Sequence, residues 1–145
     1  LGWLSRTFGQ SRPHARVTAT AARLGARLEV DWSVEPAPDD TLVTISLVGA
    51  EVARKRVSAR SGISVVTQRS EFFTVELSRQ ALAPDLALEG GPIIGSRTTV
   101  VPAALVPSFV AKLNEIAWAV VIELPRAAGG THRLEFPLTM RPVRG

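Results

Sequence analysis

At 145 residues, 46% of them hydrophobic and 21% charged, the chain has the size of one globular domain and can bury about two thirds of its unfolded surface without disulfides or metal. It has no cysteine, which excludes a disulfide framework, a thiolate zinc site and a cysteine nucleophile. The net charge of +4 comes from seventeen Lys and Arg against thirteen Asp and Glu, too thin a spread for nucleic-acid recognition, which normally needs clustered positive charge.

Residues 1–14 (LGWLSRTFGQSRPH) follow neither the helix nor the strand period. They read as a linker or flexible N-terminal segment with Trp3, Leu4 and Phe8 as packing handles, and the domain proper is expected over residues 15–145. Val17 and Ala19 alternate with Thr18 and Thr20 as a short strand. Leu28, Val30, Trp32 and Val34 then alternate with Arg27, Glu29, Asp31 and Ser33, the period of a half-buried antiparallel strand. Pro36-Ala37-Pro38-Asp39-Asp40 ends it, because proline gives the ladder no N–H and Asp-Asp favours a turn.

Val43, Ile45 and Leu47 resume the alternation, with Gly49 where a bulge or bend is tolerated. A polar strand over residues 51–58 leads to a turn at Ser61-Gly62. Val65 and Thr67, then Phe73, Val75 and Leu77, alternate again with a break of phase between them; two strands or one bulged strand explain it equally. Residues 79–95 are the loosest internal region. A helical turn over 80–88 is conceivable there, limited by Pro84. Residues 97–101 form a β-branched strand, followed by a loop through Pro107 and Lys112. Ile116, Trp118, Val120, Ile122 and Leu124 line one face of the next strand, residues 126–131 turn, and Leu134, Phe136, Leu138 and Met140 complete the last.

Seven or eight strands, with no helix longer than about two turns, predict an all-β, immunoglobulin-like sandwich of two antiparallel sheets. A closed barrel is the structural alternative. No apolar run approaches the 18 residues of a membrane-spanning helix, and the first residues lack the basic start and apolar core of a signal peptide. The chain does not begin with Met and reads as a processed product or a domain of a longer protein.

The last third carries a resemblance. Val106-Pro107-Ser108-Phe109 and Lys112 resemble the proline-bearing loop of arrestin-type domains, Ile116 and Trp118 the strand after it, and Glu135-Phe136-Pro137-Leu138 the closing strand. Val43, Ile45, Leu47 and Gly49 fit an earlier strand of that family, and the likeness extends over about residues 24–142. It is nearest to bacterial membrane-associated proteins of unknown function that carry one arrestin-like sandwich. The resemblance implies an arrestin-type β-sandwich with a scaffold-like role. It implies no phosphate-sensing core, since the second sandwich of the animal proteins has no counterpart here.

No constellation for catalysis is legible, and the protein is expected not to be an enzyme. His14 and His132 each lack companions at metal-ligand spacing, Ser108 has no nucleophile elbow around it, and Asp39-Asp40 lacks the rest of a calcium loop. Glu89-Gly90-Gly91-Pro92 lacks the Gly-Lys-Ser/Thr of a phosphate loop. Trp32 and Trp118 fall on inward faces and read as core. No cofactor, metal or small-molecule substrate is expected. The one tight cluster of charge is Arg54-Lys55-Arg56 with Arg60 nearby. Its ordinary reading is a solvated strand end, and its sharper one is contact with a partner. The expectation is a non-catalytic protein-interaction or scaffold domain of a larger bacterial protein, which docks a protein or peptide through Arg54, Lys55, Arg56 and Arg60, the 79–95 loop, a sheet edge or a sheet face. The alternative is a membrane-surface module that uses basic residues and Trp3/Phe8, with any membrane anchor in segments outside the chain.

Overall fold

The alternating segments all fold as strands. The computed structural model describes residues 12–20, 22–83 and 91–144, and among them are β1 (His14–Thr20), β2 (Arg27–Glu35), β3 (Leu42–Ala59), β4 (Gly62–Ala81), β5 (Ile93–Val100), β6 (Phe109–Val110), β7 (Asn114–Pro125) and β8 (Thr131–Leu138). One sheet has the order β1-β2-β5; the other runs β4-β3-β7, with β8 and β6 sharing the far side of β7. All pairings between strands are antiparallel. Of the segment over residues 1–14, residues 1–11 lie outside the described residues, and His14 already begins β1.

The two sheets bury their alternate residues against each other. Leu28, Val30, Trp32 and Val34 of β2 face Val43, Ile45 and Leu47 of β3 and Trp118, Val120, Ile122 and Leu124 of β7 in one core. This is the period-2 pattern at work: every second residue of a strand leaves water, and the intervening ones stay wet. Phe136 packs against the same core from β8. Met140 lies beyond the end of β8 and is also buried in it. The sheet edges meet at β1 with β8 and at β4 with β5. At the second of these, Arg97 Nη1 donates to the Leu77 carbonyl at 3.1 Å.

One long strand runs through the break of phase before Phe73, with a bulge at Phe72 and a second beyond it at Leu77. Ile45 faces Ser78 but Ser46 faces Glu76, leaving Leu77 extra; Gly49 faces Phe73 but Ala50 faces Glu71, leaving Phe72 extra. A bulge adds one residue to one strand only and re-aims its side chains. Here it sends two consecutive phenylalanines to one partner, since the rings of Phe72 and Phe73 both lie 5.6 Å from that of Trp118. Gly49 makes the room. A Cβ there would lie 2.9 Å from the Phe72 ring and 3.1 Å from Trp118.

Part of the loose 79–95 region belongs to strands. Residues 79–81 continue β4 and residues 93–95 open β5, while 84–90 lie outside the described residues. Gly95 sits opposite Trp32, where its missing side chain admits the indole.

The proline-bearing approach loop is stapled to the strands around it. Trp118 Nε1 donates to the Val106 carbonyl at 2.8 Å. The Ser108 hydroxyl accepts from Met140 N–H at 2.7 Å and donates to the Leu138 carbonyl at 3.4 Å. Ser108 therefore joins the approach loop to the end of β8, with its hydroxyl committed on both sides.

Candidate functional site

β3 and β4 are the longest strands, with 18 and 20 residues, and they outlast every neighbour. β7 accompanies β3 only as far as the Ala53–Asn114 pair. Beyond it, residues 54–59 and 62–67 pair only with each other, around a turn at Arg60-Ser61. At about 3.3 Å per residue this two-stranded ribbon runs about 20 Å past the sandwich. Among the described residues no second layer covers it, and every residue from 55 to 72 is exposed. Two strands alone are marginal in water, so the ribbon persists as an outgrowth of a sheet that is anchored elsewhere.

Its charge sets it apart. Residues 52–70 hold five of the seventeen Lys and Arg and none of the thirteen Asp and Glu, so this stretch carries +5 while the rest of the chain sums to −1. All the positive excess of the molecule is on one hairpin. Register places the four cations singled out from sequence on both faces and at the tip. Arg54 and Arg56 alternate onto one face with Val65 and Ile63, Lys55 falls on the other with Val57 and Val66, and Arg60 occupies the turn. Arg54 is 3.6 Å from Glu115 of β7, and its N–H donates to the Leu113 carbonyl at 2.8 Å, so it belongs to the base. Lys55, Arg56 and Arg60 have no carboxylate within ion-pair distance among the described residues.

Apolar side chains accompany these charges, and the sequence reading of the cluster passed over them. Val57 is 42% exposed, Ile63 74%, Val65 60% and Val66 49%. Beside the ribbon base, the loop around β6 exposes Phe109, Val110 and Leu113 next to Lys112. The signal available in the sequence was the acid-free run from 52 to 70, centred on the Ser61-Gly62 turn.

The outer face of the same sheet is closed by its own charges. Val48, Ala119 and Val121 are buried there without a covering layer of backbone. Arg133 of β8 reaches Glu135 at 3.0 Å, Glu71 of β4 at 3.5 Å and Glu123 at 3.6 Å, and Arg69 lies 3.6 Å from Glu135. Their aliphatic stems cover the small apolar residues beneath. Burial opposes the charge of Arg133, but its hydrogen bond to Glu135 and the carboxylates of Glu123, Glu135 and Glu71 outweigh it and raise the guanidinium pKa. On the other sheet, a shallow depression of about 430 Å³ is lined by Arg16, Thr18, Asp31, Ser33, Ile94 and Ser96; it is open and has no converging acid–base pair.

The Asp39-Asp40 turn holds a second polar centre. Asp39 pairs with Arg126 at 3.0 Å. Asp40 is buried: Oδ2 accepts from Ala37 N–H at 2.6 Å, and Oδ1 lies 3.3 Å from His132 Nδ1. This pins the β2–β3 turn to the start of β8. Replacing Asp40 with Ala leaves both partners unpaired, and we expect a loss of about 2 kcal/mol by urea unfolding. Asp40→Asn, which keeps an acceptor for Ala37, should lose less. A change below about 0.5 kcal/mol for the alanine variant would contradict this role.

No protein-family model matches the sequence, and no curated protein matches it. Among solved structures, the fold is similar to that of Spo0M, the sporulation control protein of Bacillus subtilis, with a TM-score of 0.56 and 13% identity. The superposition covers 90% of this chain and 49% of Spo0M, so the chain spans about half of that protein's length. The likeness is one of fold alone, and it is the fold expected from the sequence: an all-β, arrestin-like sandwich of two antiparallel sheets.

Proposed function

We propose that this domain is a non-catalytic interaction module whose binding element is the β3–β4 ribbon and whose partner is anionic. The observation that carries this reading is the segregation of charge, +5 on residues 52–70 and −1 elsewhere, with Lys55, Arg56 and Arg60 on the part of the arm against which no described residue outside the ribbon packs. A cationic projection of this kind raises the local concentration of anionic partners and speeds their encounter. The sandwich is the rigid mount. Its polar side chains serve as staples and as cover, among them Ser108, Asp40, His132 and Arg133, which supports a binding role over a catalytic one.

The test is a Lys55→Ser, Arg56→Ser, Arg60→Ser variant, measured against a fluorescent polyglutamate peptide by anisotropy. The parent should bind at low salt and lose binding near 1 M salt, where charges are screened beyond about 3 Å. The variant should bind at least about tenfold more weakly. Its unfolding free energy should stay within about 0.5 kcal/mol of the parent, as for other exposed sites. Equal binding by parent and variant, or none by either to polyglutamate and to anionic vesicles alike, would remove the basis for the reading.

A further inference from the structure

The charge of the ribbon admits several anionic partners; the distribution of its apolar side chains narrows them. We infer that the anionic partner is the surface of a lipid bilayer, and that the ribbon tip enters its headgroup layer. This rests on the reading of the ribbon as the binding element and names what it binds.

A groove in a protein touches one face of a strand pair. This tip is apolar on both, with Ile63 and Val65 on one face and Val57 and Val66 on the other. Such an arrangement suits a medium that surrounds the tip on every side. The headgroup boundary is that medium: it buries apolar groups to a depth of about 5–10 Å and leaves cationic side chains at the level of the lipid phosphates. Arg56 and Lys55 stand level with Val65 and Val66, their register partners, and Arg60 occupies the turn beyond all four apolar residues; the long stems of these cations let their charged ends reach back to the phosphates as the apolar side chains enter.

A second copy of this chain is the wrong partner for the ribbon, because pairing two ribbons would bring eight cations together with no acid on either ribbon. The reach of the ribbon also matters. About 20 Å exceeds the Debye length of about 8 Å at physiological salt, so a surface at the tip experiences the +4 of residues 54–67 rather than the remainder, whose charges sum to zero.

Each basic side chain close to an anionic bilayer raises partitioning about fivefold. The Lys55→Ser, Arg56→Ser, Arg60→Ser variant should therefore bind vesicles of phosphatidylcholine with about one third phosphatidylserine about a hundredfold more weakly than the parent. The parent should not bind pure phosphatidylcholine. The chain has no cysteine, so single cysteines at Val65, Val66 and Ala128 can each carry an environment-sensitive dye. Dyes at 65 and 66, on opposite faces, should both shift to the blue on the anionic vesicles. The dye at 128, in the turn at the other end of β7, should not. A shift at only one of 65 and 66, a shift at 128 as well, or binding without any shift overturns tip entry. Binding to polyglutamate without binding to anionic vesicles overturns the bilayer and leaves the interaction module standing, with an acidic protein as partner. Binding to neither overturns both.

Discussion

Trp118→Ala is expected to lose about 4 kcal/mol of folding stability, the largest effect of any single truncation in the core. Trp118 is 1% exposed and is among the largest fully buried side chains. Truncating a buried aromatic to alanine typically destabilises by about 3–5 kcal/mol, since transfer energy is lost and a cavity remains. Two further losses add here. The rings of Phe72 and Phe73 lose a partner at 5.6 Å each, and the Val106 carbonyl loses the indole N–H that anchors the approach loop. Domains of this size are stable by only about 5–15 kcal/mol, so the variant should unfold at much lower urea concentration, if it accumulates folded at all. Trp118→Phe keeps most of the volume and only drops the hydrogen bond, so it should lose about 1–2 kcal/mol. That pair of values separates packing from anchoring. A loss for the alanine variant below about 1.5 kcal/mol would mean that the ring does not fill the space between the sheets.

The same residue shows what sequence could reveal. Trp118 was legible as core because it stands in a clean alternation with Ile116, Val120, Ile122 and Leu124, and one face of β7 buries all but the first of these fully. β2 was legible for the same reason. Alternation is a local signal, and it survives because both strands lie inside a sheet, with neighbours on each side. It fails where the chain departs from even pairing. At Phe72 an extra residue breaks the period, and only the register with β3 shows that one strand continues through it. Asp40 reads as part of a wet turn, yet its burial depends on His132, which is 92 positions away. Gly95 reads as loop, yet it belongs to β5 because of Trp32.

For the ribbon, the sequence held the charges but not their setting. Arg54, Lys55, Arg56 and Arg60 stand out in any reading of composition. That β7 stops short of them, while β3 and β4 continue together, is a matter of relative strand length, and strand length follows from pairing partners far along the chain. The exposure of Ile63, Val65 and Val66 follows from the same fact. A strand with β-branched residues normally announces a buried face, and here the face has nothing to be buried against.

Gly95→Ala should lose about 3 kcal/mol, even though alanine is ordinarily preferred to glycine inside a strand. A Cβ at this position would lie 2.6 Å from the Cε2, Cζ2 and Nε1 atoms of Trp32, well inside van der Waals contact. The ring is 6% exposed and belongs to the central core, so it has nowhere to move without displacing its neighbours; overpacking of this kind costs about 1–3 kcal/mol, occasionally more. The same clash sets a sharper expectation for the pair. In a Trp32→Leu background the indole is gone, and Gly95→Ala should then be neutral or stabilising by up to about 1 kcal/mol, because alanine reduces the freedom of the unfolded chain. The double-mutant cycle should thus show a coupling of about 3 kcal/mol or more between two residues paired across β2 and β5. A coupling near zero would mean that Gly95 is tolerated in β5 rather than required there, and that Trp32 does not press on the β5 backbone.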